Sequence, residues 1–396
     1  MDRKRNPFAP GAGTRPPELA GREQIVDDAT VALARVRAGR PARSQMLLGL
    51  RGVGKTVLLN EIARLAEGEG YRTIELEAPE HRRLPEMLVP PLRSVLNRLS
   101  TAEQARSLAT RALRALHGFA GAFQVKVGEV EVGVTEPGVA DSGYLETDLP
   151  ELLLLAAQAA QAAATPVAIL IDEVQYLGAE DLGALIVAVH RIGQRGLPVI
   201  VFGAGLPQLA GLAGEAKSYA ERLFDYPPVG ALEPAAAERA LREPVRSEGA
   251  EIEAAALAAI VGETQGYPYF LQEWGSHAWD TAPGSPITAA DVATASVAAL
   301  RALDRGFFRV RLDRLTPREK DYMRAMAELG PGPHRSGDIA VLVGLSVTNA
   351  APLRRELIRK GMIYSPQHGE TAFTAPLFDQ FMKRSMPDWR PAMRPG

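Results

Sequence analysis

Cysteine is absent from this chain of 396 residues. That excludes disulfides and thiolate metal sites and fits a reducing compartment. No apolar run reaches the ~18 residues that suggest a membrane span. The longest candidate, Leu152 to Ala164, is interrupted by Gln158 and Gln161. The opening Met1-Asp2-Arg3-Lys4-Arg5-Asn6-Pro7 is basic but is followed by no apolar core, so no secretory signal is expected. The six histidines, at 81, 117, 190, 277, 334 and 368, share no ligand spacing and are read as ordinary surface or core residues. No sequence period of 20–50 residues marks a repeat array. These absences together lead us to expect a cytoplasmic protein with no membrane partner.

Net charge is also nearly absent, at −2. Its distribution is uneven. Residues 300–396 hold 17 Lys and Arg against 10 Asp and Glu, which leaves the rest of the chain acidic. A basic C-terminal segment on an acidic body hints at nucleic acid, against the alternative of an incidental surface bias.

What is present begins with Gly49-Leu50-Arg51-Gly52-Val53-Gly54-Lys55-Thr56, which fits the phosphate-loop pattern G-x-x-x-x-G-K-[ST]. Ser44–Leu48 before it reads as a buried strand, and Val57–Ala66 after it as a helix. Glycines let backbone N–H groups turn toward phosphate oxygens, and the helix N-terminus favours an anion. Lys55 would reach the β- and γ-phosphates of ATP and the Thr56 hydroxyl would bind Mg²⁺. Gly49, Arg51, Gly52, Val53, Gly54 and Val57 complete the expected nucleotide cradle.

Pro166-Val167-Ala168-Ile169-Leu170-Ile171-Asp172-Glu173 is the second motif. A short apolar run ending in two carboxylates reads as a buried parallel strand with chemistry at its carboxyl end. Asp172 would hold the Mg²⁺ shell with Thr56, and Glu173 would deprotonate the attacking water. The alternative is a pair of acids that only cap a strand.

Residues 41–230 alternate strand and helix signals, which predicts a mostly parallel sheet. Thr73–Leu76 and Leu197–Phe202 are further strands, Arg83–Leu116 two helices, Leu149–Ala164 another, and 123–134 an inserted hairpin. Residues 1–17 read as an irregular arm leading to a helix at Gln24–Gly39. Residues 231–300 are Ala-rich and helical, as a lid would be. Thr316-Pro317-Arg318-Glu319 is a capping box opening a helix to Leu329. Ser336-Gly337-Asp338 is expected to cap a short second helix through Val343. A third helix carries Leu353 to Lys360, and Pro352 suggests its first turn. Met362–Tyr364 and Thr371–Thr374 form a two-stranded wing. This pattern predicts a winged helix, whose third helix reads a DNA groove or serves only protein contacts.

With these motifs in place, the chain resembles AAA+ ATPases of the origin-recognition-like, archaeal-type group, and shares marks with the signalling STAND branch. The resemblance implies an α/β fold: a P-loop AAA+ parallel sheet with a helical lid, followed by a winged helix. The boundaries implied are 1–40 (arm and helix), 41–230 (nucleotide-binding sheet), 231–300 (lid) and 301–390 (winged helix). Arg22, in Gly21-Arg22-Glu23, matches the box near the adenine. Gly266-Tyr267-Pro268 matches the Gly-x-Pro mark of the lid, which adds Tyr267 and Pro268 to the nucleotide contacts. Arg222 stands where such proteins carry an arginine finger that completes a neighbour's site, alongside Lys55 and Glu173. Two departures stand out. Gly203-Ala204-Gly205 replaces a polar sensor, and the lid offers no sensor arginine. Both imply slow, switch-like hydrolysis.

The function implied is a nucleotide-controlled DNA-binding ATPase with ATP and Mg²⁺ as cofactors. Double-stranded DNA is the expected partner, met by Thr348, Asn349, Arg354 and Arg355. A homo-oligomer promoted by ATP is expected as well. The alternative is a STAND-type signalling or defence ATPase whose winged helix binds a protein partner.

Overall fold

The computed structural model describes residues 1–11, 13–79, 82–125 and 138–392. Most of the hairpin expected at 123–134 lies outside the described residues. The chain forms two compact units. A sheet unit takes Arg22–Gly49 and Lys55–Val229. A helical unit takes Met1–Gly21, Leu50–Gly54 and Gly230 onward. Among the described residues no single helix is long and apolar enough to cross a membrane.

The sheet unit holds β1 (Ser44–Leu48), β2 (Arg72–Glu77), β3 (Val167–Asp172), β4 (Val199–Gly205) and β5 (Phe224–Asp225). They pair in parallel in the order β2-β3-β4-β1-β5. β1 and β3 are buried along nearly their whole length because both faces are covered, and only their last residues are less than buried. Register pairs Leu48 with Gly205 and Glu77 with Asp172. The carboxyl ends of these strands therefore finish at one edge, where open α/β sheets place their chemistry. The helices are α1 (Glu23–Arg37), α2 (Lys55–Gly68), α3 (Leu84–Leu99), α4 (Arg106–Ala122), α5 (Leu145–Ala162), α6 (Ala179–Gln194), α7 (Leu209–Ala216) and α8 (Ala220–Leu223). β4 runs three residues past Phe202 into the glycines expected to follow it.

In the helical unit, α9 (Pro234–Ser247), α10 (Ala254–Thr264), α11 (Pro268–Thr281) and α12 (Ala289–Leu303) form the predicted helical stretch. The N-terminal arm is tied to α11. Phe8 is buried against Gly275, Asn6 Nδ2 donates to Asp280 Oδ1 at 2.9 Å, and Trp279 Nε1 donates to the Asp2 carbonyl at 2.9 Å. A π turn at Asp304–Phe308 leads into α13 (Arg309–Asp313). The C-terminal module follows with α14 (Pro317–Glu328), β6 (His334–Arg335), α15 (Ser336–Leu342), α16 (Val347–Arg359), β7 (Ile363–Tyr364), β8 (Glu370–Phe373) and α17 (Phe378–Ser385). Its strands form an antiparallel sheet in the order β6-β8-β7, so a third strand joins the expected two. The Thr316–Glu319 capping box forms as expected. Ser336 does not cap α15. Its hydroxyl donates instead to the Gly369 carbonyl at 2.9 Å. α16 starts five residues before Pro352, with Ser346 accepting from the Asn349 amide at 3.2 Å as its cap. Phe308 stacks on Phe381 at 5.2 Å and meets Phe270 edge-on at 6.1 Å, so one aromatic core serves α11, the π turn and α17.

Candidate functional site

β1 ends at the phosphate loop and α2 begins at Lys55, so chain direction brings Lys55 and Thr56 to the first turn of a helix. β3 ends at Asp172 on the same sheet edge. The Thr56 hydroxyl consequently meets Asp172 Oδ2 at 2.5 Å. Lys55 is buried although charged. Burial raises the Asp172 carboxyl above its ordinary value, while Thr56, the Glu173 amide and Lys55 all favour its charged form. A hydroxyl and a carboxylate oxygen this close are hard donors suited to Mg²⁺, and a lysine beside them suits phosphate. No cluster of three His, Cys, Asp or Glu exists among the described residues, so an all-protein metal cage is not the design there.

Glu173 follows at φ +55°, a left-handed conformation rare outside glycine. Its carboxylate accepts a hydrogen bond from Gln175 Nε2. Gln175 Oε1 in turn accepts from the Leu206 amide at 3.0 Å, just past β4. A Cβ at Gly205 would stand 2.8 Å from Gln175 Oε1 and 2.8 Å from Leu209 Cδ2. At Gly205, the last residue of β4, Gln175 and Leu209 already fill the space a side chain would need. Sequence reasoning missed Gln175, although a polar residue two places after paired carboxylates was a readable signal.

Within the helical unit, the loop residues Leu50–Gly54 meet residues of the lid and the C-terminal module. The carbonyl of Gly52, at φ +81°, accepts from the Tyr269 amide at 3.2 Å. A Cβ at Gly52 would stand 3.0 Å from the Tyr267 ring. Tyr267 is buried, and its phenol is raised by that burial against the opposing charges of Arg311 and Arg51. Pro268 opens α11 beside it. The Arg51 guanidinium lies against Gly361, 2.7 Å from where a Cβ would be. Arg311 stacks 3.7 Å above the Phe307 ring, and its pKa falls to about 10, first through burial and then through Arg51. Arg311 was not singled out by the sequence, because it sits among Arg305, Arg309 and Arg314 with nothing to distinguish it.

Of the other expected residues, Gly49 donates its amide to the Gly205 carbonyl at 3.0 Å, Val53 is buried and Val57 is half-buried. Arg22 is buried before α1, and burial lowers its pKa. Arg222 is exposed on α8, with no side-chain partner among the described residues. Thr348, Asn349 and Arg355 are exposed on α16. Arg354 is a correction. It faces the wing, donating from Nε to Thr371 Oγ1 at 2.8 Å and from Nη2 to Ser365 Oγ at 2.9 Å and the Glu370 carbonyl at 2.8 Å. One residue along a helix turns a side chain by about 100°, which separates inward Arg354 from outward Arg355.

Residues 18–202 match the family described as AAA ATPase domain. Residues 305–382 match a family described as Domain of unknown function (DUF8462). No curated protein matches the chain. Among solved structures, the chain is similar to a Walker-type ATPase of Pyrococcus abyssi, at 16% identity and TM-score 0.59 over 93% of this chain and 97% of that one. It is also similar to Cdc6p of Pyrobaculum aerophilum, at 14% identity and TM-score 0.48 over 97% and 99%. A third is the Orc1 protein of Aeropyrum pernix, solved in complex with DNA, at 15% identity and TM-score 0.45 over 93% and 94%. At these identities the likeness speaks for fold. The fold is that of a P-loop AAA+ protein with a helical C-terminal region.

Proposed function

We propose that this chain is a slow, Mg²⁺-dependent ATPase that acts as a nucleotide-controlled DNA-binding switch. The observation that carries the ATPase reading is the 2.5 Å approach of Thr56 Oγ1 to Asp172 Oδ2 beside buried Lys55. In this reading Lys55 binds the β- and γ-phosphates, and Thr56 and Asp172 hold Mg²⁺. When bound, Mg²⁺ neutralises charge on those phosphates. Glu173 accepts the proton of the attacking water, oriented by Gln175. Arg222, exposed on α8, is the group a neighbouring subunit would receive as an arginine finger. The lack of a polar side chain on the end of β4 favours slow turnover.

The C-terminal module is read as a winged helix: α14, α15 and α16 with strands β6, β8 and β7 have that order and pairing. Thr348, Asn349 and Arg355 on α16 are the groups offered to DNA. A signalling reading has one observation in its favour, the contact of Arg51 with Gly361, which links the phosphate loop to the C-terminal module itself. Titration of duplex DNA into the full chain with ATP, with ADP and without nucleotide tests the proposal. Salt-sensitive binding that differs between nucleotide states is expected. No binding in any state would leave the signalling reading.

A further inference from the structure

The C-terminal module carries an open pocket of about 250 Å³ bounded by α16, the turn before β8 and the start of α15. Its wall is apolar along Val347, Ala350, Ala351 and the ring of Tyr322, and polar at Arg354, His368, Ser336 and Ser365. No carboxylate side chain lines it. Arg354 is held by three hydrogen bonds, all to neutral acceptors. They occupy Nε and both hydrogens of Nη2. Nη1 has no hydrogen-bond partner among the described residues, and the guanidinium makes no ion pair there. A side chain so fixed has little rotamer freedom left to lose when a ligand arrives.

A second observation points the same way. Tyr322 is fully buried, and its hydroxyl lies near Thr371 without a hydrogen bond. A buried donor left unmet is unfavourable, and so is a partly buried cation without a counter-charge. One anion accepting from both groups would satisfy both.

We propose that this cavity binds a small organic monocarboxylate with an apolar body, its carboxylate on Arg354 Nη1 and the Tyr322 hydroxyl and its body against Val347, Ala350 and Ala351. The size fits, since 250 Å³ lies just below the roughly 300 Å³ at which drug-sized pockets begin. A phosphate fits less well, because its second charge would meet no second fixed cation: His368 is exposed, and the Ser336 and Ser365 hydroxyls already donate to the Gly369 and Glu370 carbonyls.

The site needs neither ATP nor DNA, so it stands apart from the switch reading and is tested without either. The full chain is titrated with benzoate by calorimetry. Benzamide, the same shape without charge, and inorganic phosphate, charge without an apolar body, serve as comparisons. Benzoate is expected to saturate one site, with both comparisons at least about tenfold weaker. Arg354→Gln should weaken benzoate by about tenfold or more. That change also removes hydrogen bonds to the wing, so Ala351→Phe provides a second variant that fills the cavity and leaves those bonds in place. It should abolish benzoate binding while keeping the wild-type unfolding transition. The proposal is overturned by an absence of saturable benzoate binding, by benzamide or phosphate binding as well as benzoate, or by wild-type benzoate affinity in folded Ala351→Phe.

Discussion

At the scale of single residues, the proposed chemistry turns on Glu173 and Gln175. Glu173 occupies a left-handed backbone conformation and is held through its carboxylate by Gln175. Such conformations persist only where the surroundings over-determine them. Replacing Glu173 by Gln keeps the shape and removes the proton acceptor. ATP affinity measured by calorimetry should stay within about twofold, while phosphate release falls by about 10² or more. Gln175→Ala removes the anchor but not the base. Its kcat should fall about tenfold with the KM for ATP nearly unchanged, which steady-state kinetics separates. An equal loss in both constants would place Gln175 in substrate binding instead. Both residues lie within three positions of Asp172, yet only Asp172 and Glu173 were legible from the sequence. The partner of Gln175, the Leu206 amide, is 31 residues away, and nothing local announces it.

At the scale of elements, the join between α14 and α16 rests on charge. Lys360 Nζ donates to Glu319 Oε2 at 2.8 Å, and Glu319 is nearly inaccessible while also closing the Thr316 cap. Burial works against the Glu319 charge, but Lys360 and Thr316 outweigh it and hold the carboxyl below its ordinary value. A carboxyl lowered on folding stabilises the fold above its unfolded pKa of about 4.3, and that stability drains as pH falls through the lower folded value. The unfolding temperature should therefore drop on acidification below about pH 4.3. Glu319→Gln should be less stable at neutral pH and should lose less on acidification, as thermal melts across pH would record. The lid has its own fixed point at Gly266, φ +67°, whose carbonyl accepts from the Leu232 amide at 2.8 Å. A Cβ there would stand 2.3 Å from the Leu232 carbonyl oxygen, a backbone atom that has no rotamer to move to. Gly266→Ala should lower stability by about 2–4 kcal/mol in denaturant titration, from positive φ and overlap together.

For the whole molecule, the basic excess of residues 300–396 does not translate into a row of unpaired cations on α16. Arg359, Lys360, Arg384 and Arg324 lie in ion pairs with Glu356, Glu319, Asp304 and Glu328, and Arg354 is turned to the wing. On α16 that leaves Arg355 exposed and without a side-chain partner among the described residues. Each phosphate neutralised adds nearly one unit to the log–log salt slope of duplex binding. Arg355→Ala should thus flatten that slope by about one unit across unrelated sequences, with ATPase activity unchanged. Salt titrations by fluorescence anisotropy measure this. An unchanged slope would remove α16 from the DNA surface.

The sequence by itself determined the α/β class, the phosphate loop, the carboxylate-ended strand and the capping box at Thr316. Each is local, written in a few adjacent residues whose spacing matches a strand, a turn or a helix start. Only the tertiary structure decided which side chains meet. It joined Thr56 to Asp172 across 116 residues and turned Arg354 toward Thr371 and Ser365. It also added β6 to the wing, since a strand of two residues has no period to read and exists only through its pairing with β8. The glycines closing β4 looked from the sequence like a lost sensor. Packing leaves no room for side chains there: Met46 and Val174 occupy the space at Gly203, and Gln175 and Leu209 that at Gly205.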